Sequence, residues 1–169
     1  IARAAIMVST CGIWFEAENE VKREIVEKRI QAWIEKYPRS TSAHLAYARL
    51  QMQIAWNFRG NGYVQTVAPE NWEPFRVHVE KARQYLEDHA DVRNDDPRWD
   101  LLLMEIAKLQ NVSDADYDAL AFAAFARNPD YFDLYFEAME RHLPKWAGSL
   151  SHVEDFAQRA AAMTGEAEG

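Results

Sequence analysis

The sequence predicts an all-α chain of seven or eight helices joined as antiparallel hairpins. Three observations carry this. Apolar residues recur three and four apart along most of the chain. Ser, Asp, Pro and Gly punctuate those runs where helices start and stop. No run alternates strictly in the manner of a half-buried strand.

The elements follow in order. Ile1 to Phe15 is mostly apolar but holds Arg3, and it is shorter than the roughly 20 residues needed to cross a bilayer. It is expected to form the first helix. Val8-Ser9-Thr10-Cys11 faintly resembles a bacterial lipoprotein cleavage site. The expected location is therefore cytoplasmic, with a lipid-anchored periplasmic form as the alternative if Cys11 is processed. Residues 13–37 place Trp14, Ala17, Val21 and Ile25, then Ile30, Trp33, Ile34 and Tyr37, on helical spacing, and Pro38 ends the run. A helix beginning near Ser40 to Ser42 is apolar on nearly all sides over residues 43–58, as a helix sandwiched between neighbours is. Gly60 fits its C-terminal stop.

Arg59 to Trp72 then breaks the pattern with Gly60, Gly62 and Pro69, in a chain with only six glycines and six prolines. This is the long loop around which the hairpins are arranged. Tyr63, Val64, Val67 and Trp72 are its expected apolar anchors. Pro69 suits the first turn of the next helix, whose stripe is Trp72, Phe75, Val79, Ala82 and Leu86.

Asp96-Pro97 predicts an N-cap followed by proline at the first helical position. Trp99, Leu102, Leu103, Ile106 and Leu109 are the buried face behind it. Asn111-Val112 is a tight turn, and Ser113 with Asp116 resembles a capping box. Tyr117, Leu120, Ala121, Ala124 and Phe125 follow. Asn128-Pro129-Asp130 is expected to end that helix and cap the next, with Tyr131, Leu134, Tyr135, Ala138 and Met139. After Leu143 to Ser149, Ser151 and Glu154 predict a further capping box before Val153, Ala157, Ala160 and Ala161. One helical domain over residues 1–163 and a frayed tail over 164–169 are expected.

The chain has 169 residues, 49% hydrophobic and 27% charged, a globular balance with length enough for a sizeable core. Its net charge of −8, from 27 acids against 19 bases, argues against nucleic acid and against an anionic membrane surface. The lone Cys11 allows no internal disulfide, and no base for a cysteine nucleophile is identifiable.

No catalytic constellation emerges. The five histidines, His44, His78, His89, His142 and His152, lack the i, i+4 pairing of a zinc helix; His142 and His152 bracket the Trp146 loop and are solvent-facing or capping residues otherwise. Asp114, Asp116 and Asp118 suit the positive end of a helix better than a calcium site. Gly60-Asn61-Gly62 lacks the lysine of a phosphate loop. No metal or cofactor is implied.

Surface recognition remains. Arg59, Tyr63 and Trp146 lie in irregular segments, and aromatics and arginine are the usual energetic anchors of interfaces. Against this stands the structural reading, which is preferred: Arg59 ties down loop carbonyls, Trp146 plugs a hairpin end and Trp72 starts a core stripe. Between Glu87 and Asp100 stand six acids, Glu87, Asp88, Asp91, Asp95, Asp96 and Asp100, against Arg93 and Arg98. That net of −4 is half the chain's −8. It predicts a protein partner with a basic surface, approached past Asp88 and Asp91.

Helix starts near Pro97 and Asp130 lie 33 residues apart, close to the tetratricopeptide period. Trp99 with Leu102, and Ala124 with Pro129, sit at that repeat's spacings, while Leu103 and Ala121 depart from its pattern. More closely, the chain resembles a bacterial family of TPR-like helical proteins known only as a domain of unknown function. Trp33 to Pro38, Ala55-Trp56 with Arg59-Gly60, Trp72 to Phe75, Pro129-Asp130-Tyr131, Tyr135-Phe136 and Leu143 to Ser149 carry the resemblance. Ala147-Gly148 stands where the family tends to have two glycines. The resemblance implies a TPR-like solenoid and an interaction role, either as an adaptor or as an inhibitor that neutralises a partner. It implies no reaction. The alternative is an enzyme or small-molecule binder with a pocket under the Gly60–Trp72 loop.

Overall fold

In the computed structural model, the helix apolar on all sides is central to its part of the chain. The structure describes residues 7–9, 12–14, 20–60, 62–94, 96–146 and 148–164; Cys11 and the tail 165–169 lie outside the described residues. Seven α-helices occur among them: α1 (Glu20–Lys36), α2 (Thr41–Arg59), α3 (Trp72–Asp88), α4 (Pro97–Leu109), α5 (Asp114–Arg127), α6 (Phe132–Arg141) and α7 (Leu150–Thr164). The fold is all-helical apart from a short ribbon, β1 (Met7–Ser9) paired antiparallel with β2 (Gly12–Trp14). That ribbon replaces the first helix expected over Ile1 to Phe15. The residues Val8, Ile13 and Trp14 favour extended backbone, and Gly12 disfavours helix. The chain divides into two compact units, Ile1–Asn94 and Asp95–Gly169.

In the first unit α2 packs against both α1 and α3. Ten of its residues are buried, from Ala43 to Ala55. Ile30 of α1 meets Ala46, Leu50 and Ile54, with Val26, Trp33 and Ile34 alongside. The buried stripe of α1 is therefore Val26, Ile30, Trp33 and Ile34; Val21 and Ile25 are exposed, because at about 100° per residue they fall on another side of the helix. The other side of α2 meets α3 through a ladder of rings and polar groups. Trp56 is edge-on to Phe75 at 5.7 Å, and Tyr47 lies 4.3 Å from Tyr85. The His78 Nδ1–H donates to the buried Gln51 amide oxygen at 2.8 Å, and burial, with Lys81 and Arg23 nearby, lowers the histidine's pKa. His44 Nε2–H donates to the Pro38 carbonyl, which leaves Nδ1 to accept from the Tyr85 hydroxyl at 2.8 Å. His89 stacks on Tyr85 at 4.2 Å.

The second unit packs Met104 and Ala107 of α4, Tyr117, Ala121, Ala124 and Phe125 of α5, Leu134 and Ala138 of α6, and Phe156 and Ala160 of α7. The alanines let the helix axes approach, and the three rings fill the space between. Among the described side chains of α7, Phe156 and Ala160 are buried, while Ala161 is exposed.

Caps follow local chemistry. Ser40 accepts from the Ala43 N–H, Asp96 from Arg98, and Ser113 from Asp116. Gly60 closes α2 at φ 72°, donating its N–H to the Trp56 carbonyl. Two expected caps move. Ser149, not Ser151, accepts from the His152 N–H, since α7 starts at Leu150. Tyr131, not Asp130, is the N-cap of α6, with no side-chain cap bond.

Burial raises the pKa of Tyr47, of Tyr85 to about 12, and of Tyr117 further. The folded chain thus holds phenolic protons that the unfolded chain releases near the ordinary value of 10.0. This stability is complete below that pH and is lost as pH rises toward the folded values. A thermal midpoint that falls steeply above about pH 10 is expected, with tyrosinate absorbance appearing together with unfolding. A flat midpoint across that range would show these hydroxyls to be solvated.

Candidate functional site

Two constructions stand out, one in each unit. The first is the connection from α2 to α3. The Arg59 side chain, at the C-terminal end of α2, lies between two indoles. Its guanidinium carbon is 4.9 Å from the Trp56 ring centroid and 5.6 Å from that of Trp72. The same group donates to the carbonyls of Gly60 at 3.0 Å and Gly62 at 3.2 Å. Beyond it, residues 64–66 and 69–71 form single 3₁₀ turns. The Thr66 N–H and hydroxyl both donate to the Tyr63 carbonyl, at 2.8 and 2.7 Å. A flat cation suits this place, because it can stack on rings and donate in its own plane at once.

The loop's apolar residues divide in two. Val67 and Ala68 are half-buried, as is Trp72, which stands edge-on to Phe75 at 5.8 Å. Tyr63 and Val64 point outward, 83% and 62% exposed. They are not the anchors expected of them; Thr66 holds the Tyr63 carbonyl, the Val67 N–H holds that of Val64, and Arg59 holds the carbonyls of Gly60 and Gly62 just before them. The shallow depression on the exposed face of α3 is lined by Glu73, Arg76, Val77, Glu80, Lys81 and Gln84, and no loop residue contributes to it.

Asp88 and Asp91 do not join this loop. They lie at the far end of α3, about 24 Å along its axis at 1.5 Å per residue. Of the six acids from Glu87 to Asp100 in the sequence, Glu87 pairs with Arg83, Asp96 with Arg98, and the fully buried Asp100 with Arg127. Asp88 accepts from the neutral Gln84 amide, and Asp91 stands 3.9 Å from Arg39 with both side chains largely exposed. Asp95 lies outside the described residues.

The second construction surrounds Trp146, in the turn Pro144–Trp146. Lys108 of α4 is 7% exposed, yet it is charged: its ammonium meets Glu137 at 2.6 Å and Glu140 at 2.7 Å, both from α6. It also sits 5.2 Å from the Trp146 ring centroid. Burial works against the Lys108 cation, but the attraction and hydrogen bonds of the two carboxylates outweigh it and raise its pKa. Burial also raises Glu137, against the pull of Lys108. Burial acts upward on Glu140 too, but hydrogen bonds from Lys108 and Lys145 hold it below the usual range. Arg141 donates to the Trp146 carbonyl at 2.8 Å and pairs with Asp114 at 2.9 Å. Trp146 is thus held at ring and backbone, by Lys108 and Arg141. Gly148 completes the turn, since a Cβ there would fall 2.0 Å from the His142 carbonyl oxygen.

His142 pairs with Asp118 at 3.1 Å, and Asp118 also takes Arg159. Among the described residues no three His, Cys, Asp or Glu side chains converge to hold a metal, and no helix is long and apolar enough to cross a membrane. The Lys108 cluster was readable in part. A lysine on the apolar stripe of α4 and two glutamates three apart on α6 are complementary, but sequence does not say which helices face each other.

Comparison with family models, with curated proteins and with solved structures returned no match.

Two substitutions test the geometry. Trp72→Ala removes a half-buried ring and should cost about 2 kcal/mol, below the roughly 3–5 kcal/mol of a fully buried tryptophan. An unchanged thermal midpoint would show that Arg59 needs only Trp56. Lys108→Met leaves the buried Glu137 carboxylate without its cation and beside Glu140, and should cost about 3–5 kcal/mol. Adding Glu137→Gln should recover most of that loss. No recovery in the double variant would mean that lysine packing, not charge, holds the cluster.

Proposed function

We propose that this chain is a protein-interaction module. It is built from helical hairpins of the tetratricopeptide kind and acts as an adaptor or as an inhibitor that neutralises its partner. The observation that carries this reading is the adjacent exposure of Tyr63 and Val64 on a connection whose backbone is pinned. Neither side chain stabilises the folded chain by burial; Thr66 holds the Tyr63 carbonyl, the Val67 N–H holds that of Val64, and Arg59 ties down Gly60 and Gly62 before them. An ordered loop offering an aromatic ring to solvent reduces the entropy lost on association, which is the usual basis of a pre-organised hot spot.

The partner proposed is a protein with a basic surface. Asp88 and Asp91 support this, since both carboxylates are largely exposed: Asp88 meets only the neutral Gln84 amide, and Asp91 stands 3.9 Å from an equally exposed Arg39. Charges of this kind act on encounter rate more than on final affinity. The loop and the acids, some 24 Å apart by helix rise, therefore have separate signatures.

The test uses the immobilised chain and its Tyr63→Ala/Val64→Ser variant. A protein held by the parent should bind the variant at least about tenfold more weakly, a loss of about 1.4 kcal/mol, with the thermal midpoint unchanged. Asp88→Lys/Asp91→Lys should slow association with the same protein and flatten its salt dependence while leaving dissociation nearly unaltered. A partner bound equally well by the loop variant, or one with an acidic surface, would contradict the proposal.

A further inference from the structure

Helix α6 carries a second exposed aromatic face, on the unit that lacks the loop. Phe132 and Phe136 are 63% and 67% exposed. Four residues apart, they lie on one side of the helix, a single turn from each other. The first ring is held by a column of aromatics leading to the core. Its centroid is 6.3 Å from that of Tyr135, Tyr135 stacks on Phe125 at 4.0 Å and 10°, and Phe125 stands edge-on to the buried Phe156 at 6.2 Å.

The charges around this face are acidic. Asp130 and Asp133 are exposed at the start of α6. The Asp133 carboxylate accepts from the Tyr131 hydroxyl, and the charge of Asp130 reaches Tyr135. Nearby cations are already engaged: Arg98 with Asp96, and Arg127 with Asp100. Glu140, one turn past Phe136, is taken by Lys108 and Lys145.

This combination selects among occupants. Phosphate groups would be repelled by Asp130 and Asp133. A purely apolar helix would cover the rings but strip water from the two carboxylates without replacing their hydrogen bonds. A guanidinium satisfies both demands, stacking its flat face on a phenyl ring while its N–H groups donate to a carboxylate. We propose that this face of α6 docks an arginine-bearing segment of a protein partner, with guanidinium groups stacked on Phe132 and Phe136 and paired with Asp130 and Asp133. The inference rests on the second unit alone. It does not depend on Tyr63 and Val64, so its failure leaves the reading of the loop intact, and failure of the loop leaves this one.

The probe is a short polyarginine peptide, titrated calorimetrically into the full chain, with polylysine and glycine–serine peptides of equal length beside it. Polyarginine should bind several-fold more tightly than polylysine, and the neutral peptide should not bind. Phe132→Ala/Phe136→Ala keeps every charge and should weaken polyarginine about tenfold, as two partly exposed cation–π contacts would. Asp130→Asn/Asp133→Asn keeps the rings and should weaken it comparably. Circular dichroism of both variants should match the parent, since all four side chains are exposed. Equal binding by the phenylalanine variant would overturn the proposal in favour of general attraction to an acidic protein. Absence of polyarginine binding would overturn it outright. Self-association of the parent that disappears in the phenylalanine variant would assign the face to a second copy of the chain instead.

Discussion

The guanidinium of Arg59 is the constraint on which the α2–α3 hairpin depends. It lies between the rings of Trp56, on α2, and Trp72, at the start of α3, and so couples the end of one helix to the beginning of the next. From there it reaches the carbonyls of Gly60 and Gly62. A connection spanning residues 60–71 would otherwise surrender its conformational freedom for little apolar burial. Here Arg59 and Thr66 supply side-chain bonds to the loop carbonyls, and the loop needs only the partial burial of Val67 and Ala68. That is why Tyr63 and Val64 are free to face solvent, and why the proposed binding surface is compatible with a fixed backbone.

Polar groups inside the helical packing follow one logic in both units. Each buried charge or amide meets a partner from another helix. Asp100 takes Arg127, Lys108 takes Glu137 and Glu140, His142 takes Asp118, and Gln51 takes His78. Pairs of this kind contribute little net stability, since desolvation offsets most of the attraction. They do penalise alternatives: a one-turn slip of α5 along α4 would leave Asp100 buried without Arg127. Apolar alanine-rich faces such as those of α5 and α6 would not by themselves exclude such slips.

The helices were legible in the sequence because periodicity and capping are local. Ser40, Asp96, Ser113 and Gly60 act where their own neighbours place them. Where two capping residues competed, sequence chose wrongly: Ser149 and Ser151 are both serines, and which one precedes the first turn depends on how the Leu143–Gly148 segment closes. The α1 stripe misled for a related reason. Val21 and Ile25 have correct spacing, but only contact with α2 decides that Val26, Ile30, Trp33 and Ile34 form the covered face. The site was less legible. Arg59 was recognisable as a residue suited to holding loop carbonyls, yet its stacking on Trp56 requires the helix end and the loop to meet in space. In a segment without periodicity, nothing local distinguishes the inward Val67 from the outward Val64. Phe132 and Phe136 lie off the stripe of Leu134, Tyr135 and Ala138, and that offset was the signal of their exposure, but it does not say that two exposed rings form a face.

The central claim is that Arg59 fixes the loop before any partner arrives. Amide hydrogen exchange at Thr66 and Val67 tests it most directly, since these N–H groups donate to Tyr63 and Val64 within the loop itself. In Arg59→Ala, and also in Arg59→Lys, which keeps the charge but loses the planar fork, both amides should exchange much faster while those of mid-α2 and mid-α3 keep their protection. Unchanged protection at Thr66 and Val67 in both variants would contradict the account.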